Sequence, residues 1–487
     1  MEHAQKFSNL IYDYFVIRIR FCYYNYGDNL PSIESMCREF CVSDKAVKAA
    51  LKRMSNEGYT SMSKGKLTKV TYQQTEQERN EYIQQFFSLR WRAIHDLYES
   101  DELIFIPLLT EGARRMEDSD FNYLSDLAER SAADDIIRFY YFVLQKLENP
   151  LAINLLWETS IFQGFPFPKE NSAAALYGQR LIRNKLKKII SDTRNQNWSD
   201  VFDDFLEFQR MIVEKQIQYF EKQNYPIEKE KQISFDWRIY RERPQVCYSL
   251  AIRILHQNCQ GEFRDKPFLP SYEKMAHIYG VSISTMRRTV SILNQMGAAQ
   301  SINGKGTLIF SPLEYGNNPD FSSPAMRRNL AFYIQALELL NNTCMWAVRP
   351  TLEHQSAMGK NQLIHQLEEY LFSQHCDLTL EYLLFYIADN SPLSGIQDIY
   401  GKLYGLLLWG YPLKAVHKDS QDYNQRREAF TKIILACLRE NDISEIILTL
   451  KGHIDWELTT ATTYLLSVGF QPEELRSAPG IMLLLND

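Results

Sequence analysis

The chain has 487 residues, of which 45% are hydrophobic and 23% charged, and its formal net charge is −6. At roughly 100–200 residues per domain this predicts two to four globular domains, and it excludes whole-chain disorder, collagen and a coiled-coil rod. A uniformly basic coat for nucleic acid is excluded too, but a local basic patch is not, because net charge hides distribution.

Met1 to Asn9 is polar and no apolar signal core follows. The most apolar stretch, Leu403 to Leu413, is shorter than the roughly 20 residues that span a bilayer. A cytoplasmic protein without a membrane partner is expected. The eight cysteines form no Cys-x-x-Cys pair. Cys37 and Cys41 sit one helical turn apart, but nothing nearby completes a zinc set, so reduced thiols are expected.

In chain order, a helix is predicted over 11–24, and then the first copy of an internal repeat begins. Leu30 to Thr68 aligns without a gap on Leu269 to Thr307, with 11 identities in 39 positions. The offset of 239 is about half the chain, which predicts one module of about 240 residues written twice. In each copy Ser32 or Ser271 follows Pro and caps a short apolar-periodic helix. Ser43 or Ser282 then caps a second helix. Its inner face is Val47, Ala50, Leu51 and Met54, or Met286, Thr289, Val290 and Leu293. Its outer face is Lys45, Lys48 and Lys52, or Ser284, Arg287 and Ser291, with Thr285 and Arg288 as further candidate contacts in the second copy. Gly58 and Gly297 suit the position just past a helix end. A strand, tight turn and strand follow, with Lys64 and Lys66, or Lys305 and Thr307, at or beside the turn.

Two helices and a basic-tipped hairpin make a winged helix-turn-helix. Its second helix fits a major groove about 12 Å wide, and the wing lysines meet phosphate or the minor groove. Residues 30–70 carry eight Lys/Arg against four Asp/Glu, a local +4. Residues 269–310 carry four against one, a local +3, which leaves −13 on the rest of the chain.

Between and after the heads, residues 76–222 and 324–487 show helical periodicity with few glycines. Helices are predicted over 78–99, 120–131, 134–147, 173–194 and 200–221, and another over 245–257 ahead of the second head. Asn149-Pro150-Leu151, Gly164-Phe165-Pro166 and Tyr177-x-Gln179-Arg180 find counterparts in Ser391-Pro392-Leu393, Gly410-Tyr411-Pro412 and Tyr423-x-Gln425-Arg426. The charged stretch from Glu221 to Pro244 is expected to hold the boundary. The fold class expected is mainly α, with internal duplication: winged helix-turn-helix 1–75, helical domain 76–235, winged helix-turn-helix 236–315 and helical domain 316–487.

Leu269-Pro270-Ser271, Gly280-Val281-Ser282, Arg287, Gly297 and Gly304-Lys305-Gly306-Thr307 resemble the head of the GntR family of bacterial transcription regulators. The motif covers about 80 residues in the two copies. The first copy departs from it, with Cys41 at the turn glycine and Leu67 at the second wing glycine. Both copies lack the Arg after Val-Ser and have Asp44 and Ile283 there. The helical bodies resemble the all-helical, FCD-like branch of that family. The resemblance implies a regulator that binds double-stranded DNA and responds to a small-molecule effector. Its single chain acts as an intramolecular pseudo-dimer, open to further homodimerisation, on unlike half-sites.

Many FCD domains hold a metal through three His, but here Phe139-Tyr140-Tyr141 stands where a ligand step is expected and His453 stands alone, so no metal and no cofactor are predicted. The effector pocket is not assigned; aromatic walls near Trp157 or Trp409 are the expectation. No phosphate-cradling loop, nucleophile elbow or other catalytic constellation occurs, so no enzyme is predicted. The alternative is a ligand-sensing or protein-interaction scaffold whose heads no longer bind DNA.

Overall fold

The serines expected as caps start the helices they precede. The structure, a computed structural model, describes every residue except 1–6, 41, 132, 165–177, 224, 227–230, 240–244, 260, 264–266, 311–320, 418–419 and 477–487. It is mainly α-helical, with two small antiparallel hairpins. Cys41, the Phe165-Pro166 pair and Tyr177 lie outside the described residues. The chain divides into two compact units, Gln5–Ile239 with Leu393–Asp398, and Tyr240–Pro392 with Ile399–Asp487.

The first unit opens with α1 (Phe7–Arg20), α2 (Ile33–Phe40), α3 (Asp44–Asn56) and a hairpin of β1 (Thr60–Ser61) and β2 (Lys69–Val70). Helix α1 stops at Arg20, short of the expected Tyr24. Cys22 takes a left-handed φ of 56° and the Tyr23 N–H turns back to the Arg18 carbonyl. Helices α4 (Glu76–Ser88) and α5 (Trp91–Arg114) replace the single helix expected over 78–99. Thr75 and Glu78 close a capping box that starts α4 at Glu76. At the break, the Leu89 carbonyl accepts the Ile233 N–H at 2.7 Å.

The body continues with α6 (Asp120–Arg130), α7 (Ala133–Gln145), α8 (Pro150–Gln163), α9 (Gln179–Arg194) and α10 (Trp198–Gln223). Asn149 caps α8 by accepting the Leu151 N–H at 3.0 Å, with Pro150 at the first turn, where a missing N–H costs nothing. Helix α5 packs against α7, α8 and α10, and its Ile94, Leu97, Phe105 and Leu108 are each no more than 3% exposed.

The second unit opens with α11 (Gln245–Cys259), α12 (Tyr272–Tyr279), α13 (Ile283–Gln295) and a hairpin of β3 (Ala299–Ile302) and β4 (Gly306–Ile309). Its body contains α14 (Pro324–Ala347), α15 (Arg349–Glu353), α16 (Ala357–Ser373), α17 (Thr379–Asn390), α18 (Ser394–Leu407), α19 (Tyr411–His417), α20 (Gln421–Glu440), α21 (Ile443–Ser467) and α22 (Pro472–Arg476). The N-terminal turn of α18 belongs to the first unit.

At the centre of the second body lies a buried polar cluster. Arg427 donates to Glu457 at 2.9 Å, and the Tyr333 and Tyr423 hydroxyls donate to the other Glu457 oxygen at 3.2 and 3.4 Å. His453, one turn before Glu457, stacks on Phe430 at 3.9 Å. Every lone pair used here offsets part of the desolvation cost of the ion pair.

Candidate functional site

Each head is assembled by the same local logic. In α3 the buried stripe is Val47, Ala50, Leu51 and Met54; in α13 it is Met286, Thr289, Val290 and Leu293. Four positions spaced three and four apart turn one face inward, so the intervening residues must face solvent. Lys45, Lys48 and Lys52 are exposed on α3, as are Ser284, Arg287 and Arg288 on α13.

The helix starts are fixed by hydroxyls. Ser43 accepts the Ala46 N–H at 3.3 Å, and Ser282 accepts the Thr285 N–H at 3.1 Å. Ser32 and Ser271 do the same for the preceding helices at 3.1 and 3.3 Å. These four serines hold backbone. Ser284 and Thr285 each hydrogen-bond the Ser282 hydroxyl at 2.8 Å.

The predicted cations differ in freedom. Lys48 pairs with Asp44 at 2.8 Å across one turn, both well exposed. Asp44 therefore neutralises part of the face it sits on. Arg287 lies over the Tyr272 ring at 5.9 Å.

The wings diverge for a backbone reason. In the second hairpin four residue pairs are in register, from Ala299↔Ile309 to Ile302↔Gly306. Gly304 and Gly306 take φ of 76° and 116°, which close its three-residue turn. In the first, only Thr60↔Val70 and Ser61↔Lys69 pair, although the expected tight turn forms, the Lys66 N–H donating to the Ser63 carbonyl at 3.1 Å as the Lys305 N–H does to Ile302 at 3.0 Å in the second. Leu67 occupies the position of Gly306, and a branched L-residue does not adopt that φ without strain. Lys64, Lys66 and Lys305 are exposed on the loops. Thr307 is 6% exposed and its hydroxyl meets Ser301 at 3.2 Å, so it ties strand to strand.

The first head docks on its own body. Tyr141 of α7 donates to the Arg38 carbonyl at 2.7 Å, and Trp157 of α8 donates to the Glu39 carbonyl at 3.1 Å. Tyr14 and Phe40 pack on the Trp157 ring at 5.2 and 4.9 Å.

Behind those two residues lies a feature that sequence reasoning missed. A cavity of about 90 Å³ opens among α5, α7, α8 and α10, with Tyr98, Asp101, Phe105, Tyr140, Gln163 and Gln209 in its wall. Asp101 is 6% exposed and accepts from Gln163 at 2.6 Å. Burial pushes its carboxyl well above the ordinary carboxylate range, against the pull of Gln163. Asp101 Oδ1 and the Tyr98 and Tyr140 hydroxyls have no hydrogen-bond partner among the described residues. The available signal was Asp101 itself, on the apolar face set by Ile94, Leu97, Tyr98, Ile104 and Leu108. Trp157 adjoins the wall residue Leu156 but turns its indole to the head. Trp409 adjoins Leu408, which lines a smaller cavity of about 20 Å³ in the second unit.

Among the described residues, no group of three or more His, Cys, Asp and Glu comes together to hold a metal, and no helix is long and apolar enough to cross a membrane.

No protein-family model matches the chain, and no curated protein matches it. Solved structures do. The GntR protein of Streptococcus agalactiae is 18% identical over a match covering 44% of this chain and 99% of that one, with a TM-score of 0.20. A second, Lar, described as controlling the expression of the Listeria monocytogenes agr system and mediating virulence, is 13% identical, covering 44% and 96%, with a TM-score of 0.21.

Proposed function

We propose that the chain is a GntR-type DNA-binding transcription regulator of the cytoplasm, built by tandem duplication, in which one chain acts as a pseudo-dimer. The observation that carries this reading is the twice-repeated pairing of a serine-capped helix, cationic on its solvent face, with a lysine-bearing wing. The domains are taken as 1–75, 76–235, 236–315 and 316–487, each head followed by a helical body that senses a small effector.

Helices α3 and α13 enter successive major grooves, Lys45, Lys48 and Lys52 in one and Arg287 and Arg288 in the other. Lys64, Lys66 and Lys305 meet the flanking phosphates. Unlike side chains imply unlike half-sites. The test is fluorescence anisotropy on random duplex across a salt series. Lys45→Ala and Arg287→Ala should each weaken binding and lower the log–log salt slope by about one unit. Unchanged affinity in both variants removes these helices from DNA.

A second reading, the heads as protein-docking modules, draws on Met62 and Leu67, which are 43% and 49% exposed on the first wing. Absence of duplex binding at low salt would favour it.

A further inference from the structure

The cavity of the first unit has a composition that selects its occupant. It holds about 90 Å³, and a water occupies roughly 10–15 Å³ on this measure, so there is room for a small organic molecule. Most of its wall is apolar, which a ligand body would fill. The wall carries Asp101, whose Oδ1 is buried and unpaired. The same wall carries the rings of Tyr98, Phe105 and Tyr140, with two unpaired phenol oxygens among them.

No Lys, Arg or His lines the cavity among the described residues. A carboxylate ligand would therefore sit beside Asp101 in a low-dielectric wall without a counter-charge, which is heavily penalised. A cation meets the opposite case. The carboxylate neutralises it, the unpaired oxygens accept its N–H groups, and the aromatic faces attract it through their quadrupoles. Gln163 already holds the other Asp101 oxygen at 2.6 Å, which fixes the carboxylate in place.

The wall is also wired to the first head. Tyr140 lines the cavity and the next residue, Tyr141, holds the Arg38 carbonyl. Leu156 lines it and the next residue, Trp157, holds the Glu39 carbonyl. Both carbonyls belong to α2, the helix before α3.

We propose that this cavity binds a small organic ammonium ion, an apolar body with an N–H cation paired to Asp101, and that occupancy is passed through Tyr141 and Trp157 to the first head. The ligand class stands on the cavity alone; the coupling rests on the regulator reading above. Burial raises the Asp101 carboxyl and a cation paired to it acts the other way, so a proton displaced on binding goes to solvent, the other titratable groups in the described wall being the Tyr98 and Tyr140 phenols.

The experiment is calorimetry on the full chain without DNA, using benzylamine, benzyl alcohol and benzoate as probes. Benzylamine should bind at least tenfold more tightly than the alcohol, and benzoate should not bind. Asp101→Asn should reduce benzylamine to the affinity of the alcohol while keeping alcohol binding, which certifies the pocket. Benzoate binding as tight as the amine, amine affinity surviving in Asp101→Asn, or no amine binding at all would overturn the ligand class.

Duplex anisotropy with and without benzylamine then tests the coupling. A change of at least threefold is expected in the native chain and none in the Tyr141→Phe, Trp157→Phe double variant. A protein that binds amine and duplex independently overturns the coupling. One that binds amine but no duplex overturns the regulator reading and the coupling with it, and leaves the ligand class standing.

Discussion

The indole N–H of Trp157, midway along α8, donates to the backbone carbonyl of Glu39 at 3.1 Å, at the last turn of α2. A helix's last carbonyls have no partner within the helix, so this bond and the Tyr141–Arg38 bond satisfy groups that a free head would give to water. Trp157→Phe keeps a ring against Tyr14 and Phe40 but removes the bond to the Glu39 carbonyl. The expected cost is about 0.5–1.5 kcal/mol. It should be local, because the bond joins α2 to the body. Amide exchange across 33–40 should accelerate, while exchange in α12 stays as it was. Unchanged protection of α2 would mean that the head is held by its other contacts.

Gly112 fixes how closely α5 and α7 approach. A β-carbon there would stand 2.4 Å from the Val143 carbonyl oxygen, which is backbone and cannot swing aside. Gly112→Ala gains about 1 kcal/mol of helix propensity. The overlap forces the two helices apart and costs more, typically 1–3 kcal/mol. The thermal midpoint of the first unit should therefore fall, by about 2–4 °C per net kcal/mol. A raised midpoint would show that α7 shifts without cost.

How much of this was legible in the sequence depends on the range of the interactions. The heads were readable because their signals are local: a serine before a periodic run, a stripe at three and four, a glycine past the end. Even the weak first wing was written in Leu67, which cannot copy the φ of Gly306. The end of α1 and the split between α4 and α5 were not readable, because they depend on the left-handed turn at Cys22 and on Ile233 reaching the Leu89 carbonyl. The cavity was harder still. Its wall comes from four helices spread from Tyr98 to Gln216, and only Asp101 on an apolar face marked it. The sequence shows His453 only as a lone histidine without companion metal ligands. It is buried and stacked on Phe430, and the Arg427–Glu457 pair beside it joins two helices that no local pattern relates.

Asp44 tests the electrostatics of the first head. It sits at the start of α3, pairs with Lys48 at 2.8 Å, and would face the phosphates alongside the lysines. Asp44→Asn loses the favourable placement of an anion at a helix N-terminus, about 0.3–1 kcal/mol, and an exposed pair worth a few tenths. Ser43 still caps the helix. Removing one negative charge near the duplex should tighten binding by about threefold at low salt, an advantage that fades as the Debye length shrinks. Anisotropy at two ionic strengths checks it. Weaker binding by the variant would show that Asp44 orients Lys48 rather than opposing it.

The buried cluster of the second body predicts how stability depends on pH. Burial holds the His453 imidazole down to about 4 from its ordinary 6.5, opposed by Glu457 and reinforced by Arg427, Arg426 and Lys414. Burial acts to raise Glu457, but Arg427, His453 and Lys414 outweigh it and bring its carboxyl from 4.5 to about 2. Both folded values lie below the unfolded ones, so between them the unfolded chain binds more protons, and stability falls as pH falls. His453 contributes stability that is complete above about 6.5 and drains away as pH drops toward 4. Glu457 contributes stability that is complete above about 4.5 and drains away toward 2. Denaturant midpoints measured from pH 7.5 to 3.5 should decline in two overlapping stages. His453→Phe keeps the ring on Phe430 and removes the first stage, so its curve should be flat down to about pH 5 and then fall with the native one. A variant curve parallel to the native one over pH 6.5 to 5 would place the proton uptake on another group.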